Sequence, residues 1–261
     1  TVMAAQGPHH FDPRPADHQL LTAADLFLVN GLGLDDKLAA KMKAAAGNPK
    51  LTIVPLAERI ERKELEEAHH DHDHDHHGHA HEHGRDPHVW LAPDLAIVQV
   101  EAARDALKNA DAAHAAGYDG RAAAYADKLR KLKADGVDLL KDKADRKLVT
   151  VHESLAYFAR TFKLEVVDVI QKTPGQPPTP KELERLVAAC KENNVRLIAV
   201  EPQYGGQQAQ RLVDELRRQG VADPALVEID PLETADPGDL NPGWYEARMR
   251  ANLAALAKAM R

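Results

Sequence analysis

The chain has 261 residues, of which 44% are hydrophobic, 4% aromatic and 29% charged, with a formal net charge of -7. That balance supports one large or two small globular cores, and the acidic surplus without a basic stripe argues against nucleic acid as the main partner. No apolar run approaches the roughly 18 residues that a membrane-spanning helix needs, and the single cysteine, Cys190, cannot close an internal disulfide.

Short apolar runs at 2–4, 26–30 and 51–55 predict strands, and amphipathic stretches at 17–25 and 34–46 predict helices between them. Strand, helix and strand at this spacing predict βαβ units and a parallel sheet. Residues 64–85 break every periodicity and hold nine of the fifteen histidines: His69, His70, His72, His74, His76, His77, His79, His81 and His83. That stretch reads as a mobile, solvated loop, since the run from His69 to His83 has no apolar side chain larger than Ala80. Order returns at DPHVWL, 86–91, and a helix is expected over 94–109. Between 121 and 141, Tyr125, Leu129, Leu132, Val137 and Leu140 recur at nearly helical spacing, predicting a helix about 30 Å long.

The second half repeats the pattern, with strands expected at 148–152, 165–170, 196–200 and 225–230, and helices starting near Ser154, after Thr179, after Gly206 and near Trp244. Thr179, Pro180 and Glu182 form a capping-box signature for the second of these helices. The expected fold is α/β: two α/β lobes with parallel sheets, 1–116 and 147–261, joined by one long rigid helix in a linker at 117–146.

In such a fold, ligands bind in loops at the carboxyl ends of parallel strands. Four candidates stand there: His9 in GPHHFDP, His88 in DPHVW, His152 in VTVHES, and Asp230 before Pro231. Three imidazoles and one carboxylate make a complete tetrahedral shell for Zn2+. Each has a plainer reading, since a lone loop histidine is usually a surface hydrogen-bonding group and Asp230 before proline can simply open a turn. His10 is expected to point away from His9, and His18 and His114 to lie on the surface. A two-histidine protease motif fails at Ala156 after His152 and at Arg85 after His81. Ser154 lacks a nucleophile elbow, and Cys190 falls on the apolar side of its helix as a buried structural thiol.

At GPHHFDPRPAD, DPHVWLAP, VTVHESLAYFA and AVEPQYGGQQAQRLVDEL the sequence resembles the zinc and manganese cluster (A-I) of periplasmic solute-binding proteins that serve ABC importers, nearest to the zinc branch of ZnuA and AztC type. The resemblance covers nearly the whole chain. It implies two α/β lobes on a rigid backbone helix, and a metal held by His9, His88, His152 and Asp230. It also implies a further strand and helix before Thr1, so the first lobe is expected to be truncated. The chain starts without a methionine or signal peptide and reads as a processed or trimmed product.

The resulting expectation is a binding protein, not an enzyme: a monomer outside the cytoplasmic membrane, periplasmic or lipid-anchored, that captures Zn2+ and delivers it to an importer permease. A zinc metallochaperone is a possible further partner, and the nine loop histidines are expected to bind zinc weakly. The alternatives are a zinc-dependent hydrolase, with Asp230 or Glu201 as base, and a metal-binding surface adhesin.

Overall fold

The computed structural model describes residues 7–8, 11–67, 84–171, 176–204 and 206–261. The expected strand at 2–4, His9, His10 and the histidine run from His69 to His83 lie outside the described residues. The chain divides into two compact units. The first takes in the described residues up to Glu67, then Gly84–Lys131 and Glu233–Pro242, and the second takes in Leu132–Leu232 and Gly243–Arg261.

The first unit contains α1 (Pro15–Leu21), β1 (Leu26–Val29), α2 (Asp36–Ala46), β2 (Thr52–Pro55) and α3 (Pro93–Ala110). Helix α1 starts two residues before the expected stretch because Pro15 pre-sets the first helical dihedral and the Asp17 carboxylate accepts the Arg14 N–H at 2.8 Å. It stops at Thr22, whose hydroxyl donates to the Gln19 carbonyl at 2.8 Å. β1 and β2 pair in parallel, Leu26 with Thr52 through Val29 with Pro55. Leu21, Met42 and Leu51 form the core that α1 and α2 share with the sheet, flanked by Phe11 and Phe27. The loop after β1 runs through Gly31, Leu32 and Gly33 at φ of 87°, 58° and 85°. Asp35 stabilises it, accepting the Asn30 and Gly31 N–H groups at 2.8 Å each.

Helix α4 (Ala115–Leu140) begins in the first unit and ends in the second. It starts six residues before the expected 121, because the alanine-rich stretch after Asp111 carries the helix through Gly117 and Gly120. Leu129, Leu132 and Leu140, three of the residues that announced it, are fully buried.

The second unit adds β3 (Lys147–Thr150), α5 (Ala156–Phe162), β4 (Glu165–Val169), α6 (Pro180–Glu192), β5 (Leu197–Val200), α7 (Gln207–Arg218), β6 (Ala225–Glu228) and α8 (Trp244–Ala259). Its four strands are all parallel, in the order β4-β3-β5-β6. Parallel neighbours need crossovers, which α5, α6 and α7 supply in turn. Helix α6 starts where the punctuation predicts, with Thr179 N–H donating to Glu182 Oε2 at 2.7 Å and Glu182 N–H donating back to Thr179 Oγ1 at 3.3 Å. Leu186, Val187, Cys190, Leu212, Val213 and Leu216 pack on the strand residues Val149 and Ile198. Burial pushes the Cys190 thiol up to about 12, an inert thiol as its apolar helix face indicates. Helices α4, α5 and α8 approach so closely at Gly136 that a Cβ there would sit 2.5 Å from Phe162 Cε1 and 2.7 Å from Leu253 Cδ1.

Candidate metal centre

In the first unit, His88 follows Asp86 and Pro87 and opens a short 3-10 turn at Val89–Leu91 whose outer residues are fully buried. The approach is clamped from the β1 loop: Asn30 Nδ2 donates to the Pro87 carbonyl at 3.0 Å, and Gln99 of α3 donates to Asn30 Oδ1 at 2.8 Å. Asp86 Oδ1 takes both the His88 backbone N–H, at 2.9 Å, and the ring Nδ1, at 2.6 Å. The ring is 3% exposed and meets Trp90 edge-on at 5.2 Å between centroids.

His88 Nε2 lies 3.0 Å from Glu233 Oε1, and both side chains are buried. A neutral imidazole has one N–H, so with Asp86 taking the proton at Nδ1 the Nε2 lone pair faces an anionic oxygen. A proton held between the two atoms satisfies that contact, and so does a cation shared by nitrogen and oxygen. Burial alone would pull the His88 pKa down, but the hydrogen bonds and charges of Asp86 and Glu233 outweigh it and hold it above its ordinary value. The 3.0 Å separation is close to that of two ligands of one cation: tetrahedral donors about 2.0–2.2 Å from a metal stand about 3.3–3.6 Å apart, so the pair need open only a few tenths of an ångström to share one.

In the second unit the strand order reverses at β3, whose two neighbours are β4 and β5. In open α/β sheets that reversal opens a crevice beyond the strand ends, and His152 after β3 and Glu201 after β5 occupy those ends. Both are buried, with His152 Nδ1 lying 2.7 Å from Glu201 Oε2. Glu201 Oε1 accepts the His152 backbone N–H at 3.2 Å, and Gln203 Nε2 donates to Glu201 Oε2 at 3.2 Å. Thr150 and Ser154 fix the turn by donating to the His152 carbonyl, at 2.9 and 3.0 Å.

Asp230 is half-buried just past β6, where its Oδ1 accepts the Leu232 N–H at 2.8 Å. Sequence reasoning passes over Glu233, three residues on in DPLE, and nothing in that tetrapeptide tells which carboxylate turns inward. It also meets Glu201 only as a hydrolase base. His114 is exposed and paired with Asp111 at 2.7 Å, as a surface residue should be, whereas His18 is half-buried on α1.

The family model described as "Zinc-uptake complex component A periplasmic" matches residues 2–259. The chain belongs to this family. Its members are solute-binding components of uptake systems. Zinc-binding protein AdcA of Streptococcus pyogenes is 29% identical over 98% of this chain and 50% of its own length. The high-affinity zinc uptake system protein ZnuA of Bacillus subtilis is 29% identical over 97% of this chain and 77% of its own. The solved structure of the binding protein FpvC of Pseudomonas aeruginosa in complex with Mn2+ superposes with a TM-score of 0.79 at 27% identity, covering 98% of this chain and 87% of that one. The fold is thus that of the solute-binding proteins, while the chain spans about half the length of the AdcA relatives it matches. Among the described residues no helix is long and apolar enough to cross a membrane.

Proposed function

We propose that this chain is the extracytoplasmic binding component of a zinc importer, capturing Zn2+ as cargo and presenting it to an ABC permease. One ion is held by His9, His88 and His152 together with the Glu233 carboxylate, which takes the role that the family resemblance assigns to Asp230. The observation that carries this reading is the shared treatment of the two described histidines: each has its Nδ1 beside a buried carboxylate, Asp86 at 2.6 Å and Glu201 at 2.7 Å. That arrangement fixes the ring orientation and tautomer, and it leaves Nε2 as the metal donor. A shell rich in imidazole favours zinc over manganese, which prefers hard oxygen ligands. The FpvC complex with Mn2+ nonetheless shows that a protein of this fold can accept another metal.

The ion leaves unchanged, so the protein needs strong but reversible capture and no reacting water. Residues His69–His83 add weak, dispersed zinc sites, because their alternating imidazoles and carboxylates offer many interchangeable donor sets. The chain acts as a monomer, periplasmic or lipid-anchored, and a zinc metallochaperone that loads it is a second partner of this reading. Competition titration of the metal-free chain tests the core of it: His88→Ala or His152→Ala should each lower zinc affinity at least about tenfold, roughly 1.4 kcal/mol. Unchanged affinity in either variant would remove that histidine from the ligand set.

A further inference from the structure

Asp230 and Leu232 make a turn to which the metal centre gives no task. Just beyond β6, Asn252 of α8 grips the chain with both ends of its amide. The Asp230 N–H donates to Asn252 Oδ1 at 2.9 Å, and Asn252 Nδ2 donates to the Asp230 carbonyl at 2.7 Å. Pro231 follows, with its ring-fixed φ. Leu232 then adopts φ 58°, in the left-handed region that a leucine seldom occupies. Its N–H donates to Asp230 Oδ1 at 2.8 Å, closing a side-chain turn over the strained residue. The next residue is Glu233, whose carboxylate meets His88 Nε2 at 3.0 Å.

We propose that Asp230 is a positioning residue for metal capture: its carboxylate holds Leu232 in the left-handed conformation and so sets the direction in which Glu233 leaves the turn. This rests on Glu233 being a ligand of the ion. Left-handed and right-handed φ differ by about 120°, so a Leu232 released to its preferred region would carry the Glu233 side chain away from His88. Without the clamp the glutamate spreads over several orientations, and affinity falls although no metal-binding atom has been removed. A ligand must offer an anionic oxygen, whereas a clamp need only accept one N–H. An asparagine at 230 can therefore do the second job and not the first.

The test is zinc competition titration of the full chain carrying Asp230→Ala, Asp230→Asn, Asp230→Ala with Leu232→Gly, or Glu233→Ala, with a thermal melt of each metal-free variant. Asp230→Ala should lose about tenfold in affinity, the scale of an orienting contact. Asp230→Asn should bind well above Asp230→Ala, and Leu232→Gly should recover part of the loss, because glycine takes positive φ without a steric penalty. If Asp230→Ala does not fold, Asp230→Asn decides: affinity as low as that of Glu233→Ala makes Asp230 a ligand and overturns the proposal, and affinity well above it sustains the clamp. Wild-type affinity in a folded Asp230→Ala would overturn it too. Unchanged affinity in Glu233→Ala would instead overturn the ligand reading on which the proposal stands.

Discussion

His88 shows how much chemistry one side chain draws from its neighbours. Burial disfavours its cation, yet Asp86 and Glu233 together raise its pKa above the ordinary value of 6.5. The folded, metal-free chain thus holds this proton more tightly than the unfolded chain, so the stabilisation is complete below pH 6.5 and is lost as pH rises through the raised value. On the proposed reading, zinc displaces the same proton. Affinity should therefore fall by about tenfold per pH unit once the solution is more acidic than the raised pKa, and the fall should begin above the ordinary histidine range. Glu233→Gln removes part of the upward push and should move the onset to lower pH in competition titrations at stepped pH. A flat affinity from roughly pH 8 to roughly pH 6 would show that no such proton is displaced.

At this scale the sequence reveals His88 and His152 because both stand in short motifs beside apolar runs, His88 just before VWL and His152 just after LVTV. Glu233 stays hidden because its direction depends on the left-handed backbone at Leu232, which neither composition nor periodicity reports.

Elements are easiest to read where local chemistry and burial agree. The cap at Thr179 and Pro180 places α6 to the residue, and the leucine spacing identifies α4. Ends are less legible. The turn that aims His152 begins directly after Thr150, so β3 stops two residues short of the expected 152. The histidine-rich segment shows a different kind of element boundary. Glu67 and Arg85 form an antiparallel bridge, and the Asp86 N–H donates to the Glu66 carbonyl at 3.1 Å, so the chain is tied on both sides of it within the first unit. Deleting 69–83 should accordingly leave the melting temperature of the metal-free chain and its tightest zinc site unchanged, while lowering the total zinc bound per chain at saturation. Equilibrium dialysis with metal analysis measures the stoichiometry. An unchanged stoichiometry, or loss of the tight site, would show that the segment and the tight site are not independent.

For the molecule as a whole, the fold class follows from alternating strands and helices, and the neighbour order of the strands does not. The reversal at β3 brings Glu201 beside His152 from nearly fifty residues away, a pairing created by sheet order. Function follows the same course: histidines in short loop motifs suggest a metal, and the buried carboxylates beside their Nδ1 atoms support the proposal that Nε2 is the donor.

X-ray absorption at the zinc edge, on the chain lacking 69–83 and loaded with one equivalent, tests the central claim most directly. The account predicts about three imidazole nitrogens and one carboxylate oxygen at about 2.0–2.2 Å, with one imidazole lost in His88→Ala and in His152→Ala. A spectrum unaltered by either substitution, or a shell made mostly of water oxygens, would contradict it.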